Sequence, residues 1–367
     1  MKHAGTDRVA FNRLSPGEDA NAVSEAIDRV VASGWYILGP EVERLEAEFA
    51  AASHAANAVA VGTGTDAIAL MLRALDVGPG DEVITTPLSA AFSALAVIMT
   101  GARPVFVDID PERLTLDPAR VESAIGPRTR AIMPVHLYGQ PADMHSLEAI
   151  ARKHELLLVE DAAQAHLATS DGRPVGSIGR AGAFSFYPTK NLGALGDGGA
   201  VVTNDPHVAA RIKRLRNGGQ TSRYHHAESG VNSRLDEMQA AILRVRLTFL
   251  PKWTARRRAI AQRYREELAN SLVHVPHELD PGHVYHLFPV LTERREALQA
   301  HLASRSVETL VHYPVPITRQ PALAALDPAP CPVADRVCNE VVSLPMYPGL
   351  SDQEVETVID GIRSFAQ

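Results

Sequence analysis

Leu156-Leu157-Leu158-Val159-Glu160-Asp161-Ala162-Ala163-Gln164-Ala165-His166 decides the fold. A short apolar run ends on two acids, and small residues follow. Apolar residues without polar alternation predict a strand buried on both faces. Acids at its carboxyl end sit where open α/β sheets take up ligands. Comparable runs lie upstream at 58–61, 83–86, 105–107 and 131–135, and downstream at 183–186 and 200–203. Stretches of helical period separate most of them. This alternation predicts an α/β protein with a mostly parallel seven-stranded sheet and helices on both faces. The last two runs read as a hairpin-like pair, which makes the sheet mixed.

Further along, Leu235, Met238, Ile242, Val245 and Phe249 step by three or four, one face of a helix over 234–249. Asp143 is the expected cap of the helix before Leu156. Near Pro251 the pattern changes, and a separate basic helix is expected over 253–268. Its Arg256-Arg257-Arg258 run can hold a phosphate or form a solvated face, and the solvated face is preferred. A strand over 284–290, a helix over 293–303 and a last helix from Ser351 predict a smaller α+β domain. Residues 1–250 then form the large domain and 251–367 the small one. Segment 321–333 reads as a surface loop.

The composition is that of a globular protein: among 367 residues, 46% are hydrophobic and 22% charged. The net charge of −7 makes nucleic acid an unexpected partner. Cys331 and Cys338 match neither a redox pair nor a zinc spacing, so reduced thiols are expected. No metal site is expected: His225-His226 are adjacent, and adjacent side chains rarely aim at one ion. The first residues lack the apolar core of a signal peptide, and Ala90 to Met99 is too short to span a bilayer. A cytoplasmic protein is expected.

Gly62-Thr63-Gly64-Thr65-Asp66-Ala67 fits the dinucleotide fingerprint, with Asp81 about 20 residues on. Asp81, however, precedes the second strand instead of ending it. A helix N-terminus that presents N–H groups to a phosphate remains, or a turn capped by Thr65 or Asp66. Beyond the acids at 160–161 comes Phe184-Ser185-Phe186-Tyr187-Pro188-Thr189-Lys190-Asn191-Leu192-Gly193. A partly desolvated lysine such as Lys190 has a depressed pKa and attacks carbonyls. Pyridoxal phosphate (PLP) needs a lysine for a Schiff base, a carboxylate for its ring nitrogen and a phosphate cup. Lys190, Asp161 and the 62–67 turn supply one of each.

The chain resembles the DegT-type sugar aminotransferases, a fold-type-I PLP family, over nearly its whole length. The matches include Ser33 to Pro40, Gly64 to Ala67, Val135 to Gly139, Glu160 to His166 and Phe184 to Gly193. They continue through Asn232-Ser233-Arg234-Leu235-Asp236-Glu237-Met238-Gln239 and His312-Tyr313-Pro314-Val315-Pro316. The resemblance implies that Lys190 is the Schiff-base and proton-shuttling lysine and that Asp161 partners the pyridine nitrogen. It implies that Gln164 contacts the phenolic oxygen, and that Gly64, Thr65, Asp66 and Ser185 cup the phosphate. Asn232 is similar to a residue reaching the phosphate from a neighbouring subunit, which implies a homodimer with shared sites and an N-terminal segment at its interface. Tyr36, Tyr187 and Tyr313 fall in segments lining the sugar pocket, and His226 is a further candidate there. Two departures stand out. Ala90 occupies the place of an aromatic that lies on the ring in most relatives, so that either Phe92 swings in or the ring is stacked more weakly. Leu167 replaces a small residue.

By resemblance, the expected reaction moves the amino group of L-glutamate to a dTDP- or UDP-linked 3-keto-deoxysugar, with the cofactor cycling through pyridoxamine phosphate. The Tyr-Pro-x-Lys-Asn-Leu-Gly pattern is similar to that of relatives making 3-amino-deoxysugars for antibiotic glycosides. A 4-keto sugar or an aminocyclitol precursor is the alternative acceptor. Lys190 argues against the dehydratase branch, which carries histidine there. A non-catalytic PLP-binding regulator and a nicotinamide oxidoreductase are the rival classes.

Overall fold

The computed structural model describes residues 8–365. Among these residues, seven strands share one continuous sheet. They are β1 (Asn57–Val61), β2 (Glu82–Thr85), β3 (Arg103–Phe106), β4 (Thr129–Ile132), β5 (Leu157–Leu158, resuming at Glu160–Asp161), β6 (Gly182–Ser185) and β7 (Gly199–Thr203). Across the sheet they run β3-β2-β4-β5-β6-β7-β1. β5 is the joint, because its first part pairs with β4 and its second with β6. A bridge between Val135 and Asp161 closes the seam. Every pairing is parallel except those of β7, which is antiparallel to both β6 and β1. The sheet is therefore mixed, as the sequence predicts.

The unbroken apolar runs have a simple cause. Successive strand side chains point to opposite faces. Helix α1 spans Ala20–Ser33. In β1, Ala58 and Ala60 join a core with Val42, Leu45 and Phe49 of helix α2 (Pro40–Ala52), while Val59 and Val61 join Ile68 and Leu72 of α3 (Gly64–Ala74). Both faces are dry, so no position is left for a polar residue. Asp143 caps Met144–Lys153 as expected, accepting from Ser146 N at 3.0 Å.

The expected break at Pro251 does not occur. A single helix runs Glu237–Leu268 through it. Proline removes one helical hydrogen bond, yet packing on both sides of it outweighs the loss. Leu243 and Leu250 belong to the core beneath the sheet; Ile260, Ala261, Tyr264 and Leu268 belong to the core of the C-terminal segment. The change in pattern marks a change of packing partner. Arg257 is likewise no solvated residue: it is 4% exposed.

In the C-terminal segment, β8 (Phe288–Leu291) pairs antiparallel with β9 (Val341–Leu344), flanked by helices Arg295–Ser304 and Asp352–Arg363. The strand expected over 284–290 thus starts later. Ser351 and Glu354 form a reciprocal capping box at the last helix. Segment 321–333 is not a bare surface loop, since it coils over Pro321–Leu326, buries Leu323 and Cys331 and opens a helix at Pro332. Both cysteines are buried free thiols. No helix of the described residues is long and apolar enough to cross a membrane.

The start of the long helix is clamped to α2 by one carboxylate. Buried Glu237 accepts from Gly39 N (2.9 Å), Glu41 N (2.8 Å) and Val42 N (2.9 Å). Glu237→Ala would strand three donors at a helix start and is expected to lower unfolding free energy by about 3 kcal/mol. Urea denaturation checks this; an unchanged midpoint would show that water replaces the carboxylate.

Candidate active site

Asp161 ends β5 and is buried, with two short contacts holding its carboxylate. Ser93 Oγ donates to Oδ2 at 2.7 Å, and Ala163 N donates to Oδ1 at 3.1 Å. Ser89 Oγ lies 3.1 Å from Ser93 Oγ. Its neighbour Glu160 takes a different part, accepting from Gly176 N, Ile178 N and Gly179 N.

Lys190 follows β6 on a tightly folded loop. Lys190 N donates to Tyr187 O at 2.8 Å, and Asn191 Nδ2 anchors the loop to Val284 O at 3.0 Å. A side chain on Gly193 would come within 2.4 Å of Pro188 O, so the turn requires glycine there. Burial pushes the Lys190 amine down to about 8, while the charge of Asp161 acts in the opposite sense. Three imidazoles, of His166, His286 and His312, feel the lysine charge, and burial lowers the pKa of each. His166 is enclosed by Phe49, Phe184 and Phe186, with neither ring nitrogen bonded.

The 62–67 turn opens α3 with Thr63, not Thr65 or Asp66, as its cap: Asp66 N donates to Thr63 Oγ1 at 3.0 Å. The Asp66 carboxylate also has a partner, accepting from Ser233 Oγ at 2.7 Å, and Ser233 Oγ in turn accepts from Gly62 N at 2.9 Å. Asp66 therefore shapes the turn. Gly64 and Thr65 begin the helix, where N–H groups lack intrahelical acceptors. Ser185 stands directly against them, since a Cβ on Gly64 would lie 2.6 Å from Ser185 Cβ. Asp81, the acid of the dinucleotide reading, instead accepts from Gly78 N within its own turn.

Gln164 is buried, with Oε1 accepting from Tyr138 N at 2.6 Å and Nε2 donating to Tyr313 Oη at 3.1 Å. Gln164 and Tyr313 thus meet. Tyr36 (50% exposed) and Tyr187 (52%) stand open, and Asn232 and His226 are exposed as well. His226 pairs with its own loop, Nδ1 lying 2.7 Å from Gly218 O. Ala90 is partly buried, whereas Phe92 is 62% exposed on Phe92–Met99 and does not swing in. Leu167 packs against the core around Phe49 and Phe184. Sequence reading missed Ser93 and His286. Neither lies in a motif; Ser93 reaches Asp161 from 68 positions away, so only the fold reveals it.

A model of the DegT/DnrJ/EryC1/StrS aminotransferase family matches residues 18–363. The chain belongs to that family. It is 50% identical over 372 residues to the dTDP-3-amino-3,4,6-trideoxy-alpha-D-glucose transaminase of Streptomyces venezuelae, covering 99% of this chain and 98% of that one. The crystal structure of S. venezuelae DesV in complex with a ketimine intermediate matches with a TM-score of 0.96 at 49% identity, over 99% of each chain. NtdA of Bacillus subtilis, crystallised with bound cofactor PMP, matches with a TM-score of 0.92 at 29% identity, covering 100% of this chain and 86% of that chain. The protein is an aminotransferase of fold type I.

This aminotransferase fits the cofactor of its family on its own geometry. Gly64 leaves the room a cup needs, Asp161 has only a hydroxyl and an N–H as partners, and Lys190 is partly desolvated. Below about pH 8 Lys190 is an unreactive ammonium, and above it a nucleophilic amine. In cofactor-free protein, acylation of Lys190 by an amine-selective reagent should therefore rise with a midpoint near 8, well below the ordinary lysine value of about 10.4. Peptide mapping across pH checks this, and a midpoint shared with Lys153 would disprove the depression.

Proposed function

We propose that this enzyme moves the amino group of L-glutamate to carbon 3 of a dTDP- or UDP-linked 3-keto-deoxysugar. The observation that supports it is the charge interaction of buried Lys190 with Asp161 at the end of β5, with Ser185 of β6 standing against Gly64. PLP, when bound, supplies an electron sink that stabilises negative charge at the substrate carbon. The chain's residues supply the rest. Lys190 Nζ, in its neutral form, would take the proton from the donor's α-carbon and return it on the cofactor side. The Asp161 carboxylate would keep a proton on the ring nitrogen, and Ser93 fixes its orientation. Gln164 Nε2 would hold the phenolic oxygen beside Tyr313. First-turn N–H groups at Gly64 and Thr65 and the Ser185 hydroxyl would bind the phosphate. Tyr36, Tyr187, Tyr313 and His226 would line the sugar side.

The 3-keto acceptor is favoured by the name of the Streptomyces venezuelae relative, a 3-amino-trideoxyglucose transaminase at 50% identity. The product is then a deoxyaminosugar of the kind built into antibiotic glycosides. We further propose a cytoplasmic homodimer with shared sites. Trp35, Tyr36, Tyr187 and Phe92 expose large apolar surface, which a second copy would cover, and Asn232 would reach its neighbour's phosphate. The large and small domains would divide near residue 250, within the long helix.

The decisive experiment incubates the pyridoxamine form with dTDP- and UDP-linked 3-keto and 4-keto sugars and weighs the products. Amine on a 3-keto sugar is expected; exclusive use of 4-keto sugars would reassign the acceptor. Lys190→Ala should cut turnover by more than about 1,000-fold, and turnover within tenfold of wild type would remove it from the reaction. Gly64→Ala drives a methyl into Ser185 and should weaken PLP binding by at least about tenfold, measured by fluorescence titration. Unaltered affinity would put the phosphate elsewhere.

A further inference from the structure

A cavity of about 400 Å³ opens beside Lys190, with Asn191, Arg257 and Tyr347 in its wall. The charged residues of that wall are not alike. Among the described ones, Arg13 pairs with Glu354, Glu18 with Lys252 and Asp19 with Arg246, and Lys190 feels the charge of Asp161. Arg257 has no carboxylate within ion-pair distance in the described structure. Its Nη1 donates to three backbone carbonyls, those of Tyr285 (3.1 Å), His286 (3.2 Å) and Met346 (2.8 Å). Its Nε has no acceptor, and neither has the buried hydroxyl of Tyr347.

A guanidinium out of water without a counter-charge is costly, and carbonyl dipoles offset only part of that. The three carbonyls do fix the plane of the fork. Burial alone acts on its pKa, pulling it down to about 9. Near neutral pH the group is still a cation, held rigid at the edge of a cavity that also holds the reactive lysine. Such a cation is complete only when an anion arrives. Every amino-acid donor carries a carboxylate one bond from the carbon that bears its amine.

We propose that Arg257 binds a carboxylate of the amino donor in this cavity, with Tyr347 Oη as a second donor. This rests on the aminotransferase reading of the site and adds to it the group that selects the donor. Arg257 then serves one half-reaction and not the other.

Two measurements test it. The first uses the unaltered holoenzyme and calorimetry with glutarate, which cannot react, and with its neutral diamide. Glutarate should bind about 100-fold more tightly; equal affinities would overturn the proposal. The second follows each half-reaction separately in Arg257→Met and Arg257→Lys, with thermal melting recorded. L-glutamate should lose about 100-fold in kcat/KM in Arg257→Met, with partial recovery in Arg257→Lys. Amination of the keto-sugar by the pyridoxamine form should stay within about twofold. Equal losses in both half-reactions with a lowered Tm would mean that Arg257 is a structural tie only, and an unimpaired glutamate step would equally overturn the proposal. A wild type that runs neither half-reaction would defeat the functional reading itself, and the glutarate titration would still decide whether Arg257 holds a carboxylate.

Discussion

The seam of the sheet is held by one buried carboxylate. Glu160 accepts from the N–H groups of Gly176, Ile178 and Gly179 on one side and meets His136 Nε2 at 3.0 Å on the other. His136 Nδ1 accepts from Ala142 N, so the proton of that ring points from Nε2 to Glu160. Each donor would cost free energy if left unpaired in the dry interior. With all of them satisfied, β5 has a single register. Neighbouring strand residues point to opposite faces, so fixing Glu160 inward fixes Asp161 on the other side, toward Ser93. Two acids adjacent in sequence thus divide into a structural clasp and a site carboxylate.

The same dryness sets the chemistry. Burial lowers Lys190 to about 8 and holds His166 near 3 and His312 near 4. The lysine is then surrounded by imidazoles without charge at neutral pH, and Asp161 is the acid that acts upon it. A more hydrated pocket would leave the amine protonated and inert. Affinity for the lone pair of a lysine and exclusion of water are the same design requirement. The loop at 188–194 meets it by packing Leu192 and Ala194 into the core while Asn191 ties it to Val284.

Much of the fold was legible because strands buried on both faces write unbroken apolar runs, and the seven runs match the seven strands. Asp161 and Ser185, which end their strands, were legible as candidates because they stand in compact motifs, and Gln164 and Lys190 because they follow in the same motifs. What was not legible depended on distance along the chain. The cap at Thr63 hides beside equally good capping residues. The bond of Asp66 to Ser233, 167 positions away, leaves no local signal either. Pro251 reads as a breaker because propensity ignores two cores gripping one helix. Arg257 reads as part of a solvated face because its backbone carbonyl partners leave no signal in the side-chain pattern.

That long helix links these observations. At its start, Glu237 clamps α2 and the preceding Ser233 braces the 62–66 turn. One turn before Pro251, Arg246 reaches Asp19 and the carbonyl of Gly193, steadying the lysine loop. Beyond the proline, Arg257 grips the carbonyls of Tyr285, His286 and Met346. A break at Pro251 would let the 62–66 turn and the lysine loop move independently of the C-terminal segment. Continuity of the helix holds the parts of the site to one rod, and a proline at its midpoint is tolerated because both halves are packed tightly enough to outweigh the missing hydrogen bond.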